Sequence, residues 1–125
     1  MEMEYINRRC DPYRLADGKY RDLRYYVLSL GTHPCAYIEV NDLIDAPFDI
    51  NAIDCHGGIT YSREYLATVD HKGWFIGWDY AHCYDYSGNL PETTQHCKKW
   101  TTSEIVTDCK AVIDQIWEKA RTDNG

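Results

Sequence analysis

Arg24-Tyr-Tyr-Val-Leu-Ser-Leu-Gly-Thr-His-Pro-Cys-Ala-Tyr-Ile-Glu-Val40 is the stretch that decides the fold. Its first seven residues are rich in strand formers and place Tyr26, Leu28 and Leu30 on one face. After Gly31-Thr32-His33-Pro34 the pattern resumes, with Ala36, Ile38 and Val40 alternating with Cys35, Tyr37 and Glu39. A period of two on both sides of a Gly- and Pro-bearing connection predicts an antiparallel hairpin. Downstream, Trp74 to Tyr80 repeats the pattern, with Trp74, Ile76, Trp78 and Tyr80 on one face and Phe75, Gly77 and Asp79 on the other. This segment reads as the central strand. Gly77 inside it signals a bulge or the close approach of another chain segment or a ligand. Between hairpin and central strand, Pro47 interrupts any helix in 41–53, Gly57-Gly58 forms a tight turn, and Ile59 to Leu66 reads as another strand.

Beyond a polar loop over 83–100, Thr101-Thr-Ser-Glu104 fits the capping box that satisfies free amides at a helix start. Ile105, Cys109, Val112, Ile116 and Ala120, flanked by Val106, Ile113 and Trp117, then recur at helical spacing, predicting a helix over 101–123 that covers one sheet face. Upstream, 1–23 reads as an irregular arm or a short strand with loops, with Asp11-Pro12 and Asp17-Gly18 as turn signals. The expected fold is α+β: one domain over 1–125, its sheet region at 24–82, a small antiparallel sheet packed against one long C-terminal helix.

The chain has 125 residues and a formal net charge of -7, which argues against nonspecific nucleic-acid binding. No apolar run resembles a signal peptide or a membrane span, so a cytoplasmic protein is expected. The six cysteines contain no CxxC and read as reduced, structural thiols. Tyr numbers 11 and Trp 4 against only 2 Phe, a preference for rings with a polar tip that suits a ligand pocket or an interface, including self-association into a homo-oligomer.

Two segments concentrate candidate site residues. In Asp54 to Ser62, His56, Gly57, Gly58, Thr60, Tyr61 and Ser62 combine an imidazole, a permissive turn and three hydroxyls. The glycines either admit a ligand to the backbone or simply make a turn into a strand. In Gly77 to Asp85, Trp78, Asp79, His82 and Asp85 stand out. His56, Asp79, His82 and Asp85 form a donor set for a divalent metal, and a buried Asp–His network explains the same residues. The pairs Cys55-His56, His82-Cys83 and His96-Cys97 lack the ligand spacing of structural zinc sites. Ser62 lacks the GxSxG elbow of a hydrolase nucleophile. Arg24 belongs to a local cluster with Arg8, Arg9, Arg14 and Arg21, among several Tyr, that suits a compact phosphate-bearing ligand or a solvated surface.

His56-Gly57-Gly58, Thr60-Tyr61-Ser62, Trp74, Gly77, Asp79, Ala81, His82 and Asp85 together follow the pattern HGG-[IL]-TYS, then W-x-x-G-[FW]-D-x-A-H-x-x-D. On these residues the chain resembles a family of small phage and prophage proteins of bacteria. The resemblance implies an anti-defence role in the host bacterial cytoplasm. The expected function is a non-catalytic protein that sequesters a nucleotide-type immune signal or blocks an immune effector protein, with no cofactor. The alternatives are a small metal-dependent phosphodiesterase using His56, Asp79, His82 and Asp85, and an acidic mimic that blocks a nucleic-acid-binding effector.

Overall fold

The computed structural model describes residues 12–29, 33–41, 49–80 and 100–124, the stretch 121–124 by backbone alone. The elements are β1 (Tyr13–Tyr20), β2 (Leu23–Ser29), β3 (Pro34–Glu39), a 3-10 turn at Ile50–Ala52, β4 (Tyr61–Arg63), β5 (Phe75–Asp79) and α1 (Thr102–Asn124). They form a five-stranded antiparallel sheet in the order β1-β2-β3-β5-β4, with the helix packed on it: an α+β fold. Among the described residues no helix is long and apolar enough to cross a membrane. The loop expected over 83–100 lies outside the described residues except for Trp100, as does the arm over 1–11.

The expected β2–β3 hairpin forms, with Val27 opposite Ala36 and Leu28 opposite Cys35. Period two means that each strand feeds both faces. On the helix side Leu23, Val27, Ala36, Ile38, Ile76 and Trp78 meet Ile105, Cys109, Val112, Ile113 and Ile116. Full burial of each such isoleucine contributes about 1.5–3 kcal/mol from apolar area alone. On the other side Tyr26, Leu28, Cys35, Tyr37 and Phe75 are covered by Leu66 and Val69 from the segment between β4 and β5. That cover is closed on itself by Gly73 N–H donating to the Glu64 carbonyl (2.9 Å) and Val69 N–H to the Leu66 carbonyl (3.1 Å).

The helix begins as the capping box requires. Thr101 N–H donates to Glu104 Oε1 at 3.0 Å, and Glu104 N–H donates to Thr101 Oγ1 at 3.2 Å.

Three expectations need correction. The arm assigned to 1–23 is, from Tyr13, a strand paired along β2, with a register shift between Arg14 and Ala16. Asp17-Gly18 lies inside that strand; the turn falls at Arg21-Asp22, both in the left-handed region at φ 49° and 71°. Two such residues make the hairpin geometry that matches strand twist. Tertiary contacts hold them there: Trp117 Nε1 donates to the Arg21 carbonyl (2.9 Å), Arg21 pairs with Asp114 (2.8 Å), and Asn41 Nδ2 donates to the Asp22 carbonyl (2.8 Å). The strand expected over Ile59 to Leu66 shortens to Tyr61–Arg63, because the chain then leaves to cover the second face. The middle of the sheet is β3, with β5 between it and β4.

Gly77 opposes Tyr37 on one side and Tyr61 on the other, and those two rings meet edge to face at 5.2 Å between centroids. A Cβ at Gly77 would stand 2.6 Å from the Ala36 carbonyl oxygen, 2.7 Å from Tyr37 Cε1 and closer still to Tyr37 Cδ1. The close approach signalled by this glycine is therefore made by the protein itself. Gly77→Ala is expected to cost about 1–3 kcal/mol by overpacking. Denaturant unfolding measures this, and an unchanged midpoint would contradict the packing.

Candidate functional site

The segment Asp54 to His56, Trp100 and the stretch of α1 from Asp108 to Val112 line one cavity. Gly58 N–H donates to the Cys55 carbonyl at 3.0 Å, with Gly57 at φ 74° and Gly58 at φ 81°. A Cβ on Gly58 would meet nothing within 4 Å, so conformation and not close approach calls for glycine there. The turn is clamped to the helix by Gln115, whose Oε1 accepts from Asp54 N–H and whose Nε2 donates to the Asp54 carbonyl, both at 2.7 Å.

This clamp presents His56 to Tyr80. The two rings stack at 4.8 Å and 11° between planes, and Trp100 meets both, at 5.0 Å from His56 and 4.9 Å from Tyr80. Beneath the rings, Trp78 Nε1 donates to the Tyr80 hydroxyl (3.0 Å), which donates to Asp108 Oδ2 (2.7 Å). Burial first, then the bond to Asp108, drives the Tyr80 pKa well above the ordinary phenol value, so this hydroxyl stays a donor. Asp54, Cys55, His56, Trp100, Asp108, Ala111 and Val112 line a cavity of about 350 Å³ beside the ring cluster. Burial, reinforced by the Asp54 charge, pushes the Cys55 thiol up to about 11. It is a thiol and not a thiolate near neutral pH.

Of the residues expected from sequence, His56 lies in this cavity and Gly57 and Gly58 shape its turn. Thr60 extends β4 through its N–H to the Gly77 carbonyl (2.9 Å) and is exposed. Tyr61 lies against Tyr37 on the face away from the helix. Ser62 Oγ accepts from Trp74 Nε1 at 3.0 Å. Trp78 is core, 1% exposed, and reaches the site only through Tyr80. Asp79 pairs directly with Cys35, so it shares the face of Tyr37, opposite to that of Tyr80 and His56. Arg24 also lies on that second face, opposite Glu39. His82 and Asp85 lie outside the described residues. Among the described residues no three His, Cys, Asp or Glu side chains are grouped as a metal site would need.

Sequence reasoning missed Asp54, Trp100 and Asp108. Asp108 carried a signal: with Ile105, Cys109 and Val112 it occupies the helical spacing of a core position. A carboxylate there requires a buried partner, which Tyr80 supplies.

Among the described residues Cys35, Cys55 and Cys109 are free thiols, and Cys35 and Cys109 are buried. Cys10, Cys83 and Cys97 lie outside the described residues. Set against known protein families, curated proteins and solved structures, the chain matches none.

Tyr80→Phe leaves the buried Trp78 N–H without its acceptor and is expected to destabilise by about 1–3 kcal/mol, read from denaturant unfolding. Alkaline titration gives a second check. Burial, with the Glu39 hydrogen bond second, pushes Tyr26 up from 10.0 to about 12, and burial drives Tyr37 and Tyr80 in the same direction. A raised folded pKa stabilises fully below the unfolded value and less as pH climbs toward the folded one. Stability should therefore be flat with respect to these tyrosines below pH 10 and fall between 10 and about 12. Tyrosinate absorbance followed with the unfolding signal measures it; ionisation of all tyrosines near pH 10 in the folded protein would refute the burial.

Proposed function

We propose that this chain binds a nucleotide-type small molecule and holds it without turning it over, the base lodging against Trp100 and His56. The observation that carries this reading is a three-ring cluster bordering a cavity flanked by two carboxylates, Asp54 and Asp108. Every nucleobase offers a π-face, and stacking on an aromatic side chain contributes about 1–3 kcal/mol per base. Carboxylates are acceptors only, so they select bases whose edges carry amino or imino N–H donors, and they direct phosphates away toward solvent. A volume of about 350 Å³ is within the range of small-ligand pockets and suits a base with its sugar. The protonated Cys55 thiol favours retention over covalent attack. In the setting that the resemblance to phage accessory proteins implies, retention of such a molecule means sequestration of a host immune signal.

Calorimetric titration of the full chain with cyclic mononucleotides, cyclic dinucleotides and ADP-ribose derivatives tests the reading. At least one is expected to bind stoichiometrically and quench Trp fluorescence. Trp100→Ala should weaken it by about tenfold, as the loss of one stacking partner implies, and the ligand should be recovered chemically unchanged. Failure of the whole panel, or affinity indifferent to both Trp100→Ala and His56→Ala, would overturn it.

A further inference from the structure

The face of the sheet away from the helix holds a second cavity, of about 220 Å³, whose lining includes Arg14, Arg24, Tyr26 and His71. In a chain of net charge -7, register places Arg14, Lys19 and Arg24 together on this face. Arg24 stands directly opposite Glu39, the natural partner for its guanidinium. Both oxygens of Glu39 are committed elsewhere: Oε1 accepts from the Tyr26 hydroxyl at 2.8 Å, and Oε2 bonds His71 Nε2 at 2.9 Å. Among the described residues Arg24 consequently makes no hydrogen bond and no ion pair.

Arg14 is fixed beside it. Its guanidinium lies over the Tyr26 ring, 5.2 Å from the centroid, donates to Asp17 at 3.2 Å, and donates to both the hydroxyl and the carbonyl of Thr68. A guanidinium has five N–H donors, and these bonds use three. Thr68 sits at φ 70°, a left-handed conformation that is strained for a β-branched residue. The outcome of that strain is a loop carbonyl aimed at Arg14, holding the fork in place. The remaining acids lining the cavity compete little: Asp17 is taken by Arg14, and the Asp70 side chain is fully exposed to water.

We infer that this cavity is a binding site for a phosphate-type anion, received by the Arg24 fork with the remaining Arg14 N–H groups. Planar guanidinium pairs match phosphate oxygens bidentately, and a fork already immobilised loses little entropy on binding. The site is separate from the ring cluster, across the sheet from it.

The test is calorimetric titration of the full chain with inorganic phosphate and, separately, with glycerol phosphate, at matched ionic strength against chloride. Saturable binding of either is expected. Arg24→Gln should weaken it by at least about tenfold, the factor that one lost charge-assisted bond implies, and Arg24→Lys should fall between, keeping charge without the fork. Tighter binding of inorganic phosphate would identify the free ion as the natural ligand, and tighter binding of the ester a phosphorylated metabolite. No saturable binding of either anion, or binding that Arg24→Gln leaves unchanged, overturns the inference. Arg24 is exposed, so its replacement leaves the fold intact, which unfolding midpoints verify.

Discussion

The Tyr80 hydroxyl joins two polar groups, the buried Trp78 indole and the half-buried Asp108 carboxylate. Trp78 brings an indole N–H into the layer between sheet and helix, and Asp108 brings a carboxylate to a helical position flanked by Ile105, Cys109 and Val112. The buried indole N–H, left unpaired in that layer, would cost more than a typical hydrogen bond contributes. One hydroxyl, accepting from the first and donating to the second, satisfies both. The chain of bonds also ties α1 to the residue that follows β5, through a directional bond of 2.7 Å from Tyr80 to Asp108. The same Tyr80 ring is the surface on which His56 and Trp100 assemble. Core and candidate site are thus one construction, and the cavity borrows the rigidity of the interior.

The parts of the fold legible in the sequence were those governed by local periodicity. The hairpin from Arg24 to Val40 and the capped helix from Thr101 both follow from spacing, because burial on a strand or helix repeats with the period of the backbone. β1 was not legible. Its outward residues are charged, Gly18 sits within it because the Tyr25 hydroxyl fills the space of a side chain, and its turn uses Arg21-Asp22 in place of Asn-Gly. The contacts that offset the strain there come from Asn41, Asp114 and Trp117, more than a dozen residues away in each case, so no local rule finds them. The site was legible by halves. His56 and the paired glycines stood out by type, but Thr60, Tyr61 and Ser62 were joined to them by proximity in sequence alone, and alternation along β4 sends their side chains apart.

Net charge is a poor guide to this molecule because charges are grouped locally on each face of the sheet. On the helix side, Asp54 and Asp108 flank a cavity that His56 and Trp100 also line. On the other, Arg14, Lys19 and Arg24 share a face with Glu39, whose carboxylate is spent on Tyr26 and His71. Each strand contributes to both faces, so a single substitution of register would exchange the two environments. The bulge at Arg14 to Ala16 matters for that reason: the extra residue lets Arg14 pair with Leu28 and Asp17 with Tyr26, both on the second face, while Ala16 turns to the helix side. Without it, Arg14 and Asp17 would fall on opposite faces, and the contacts from Arg14 to Asp17 and Thr68 could not coexist. The irregularity in β1 is what brings Arg14 to the face that holds Asp17, Lys19 and Arg24.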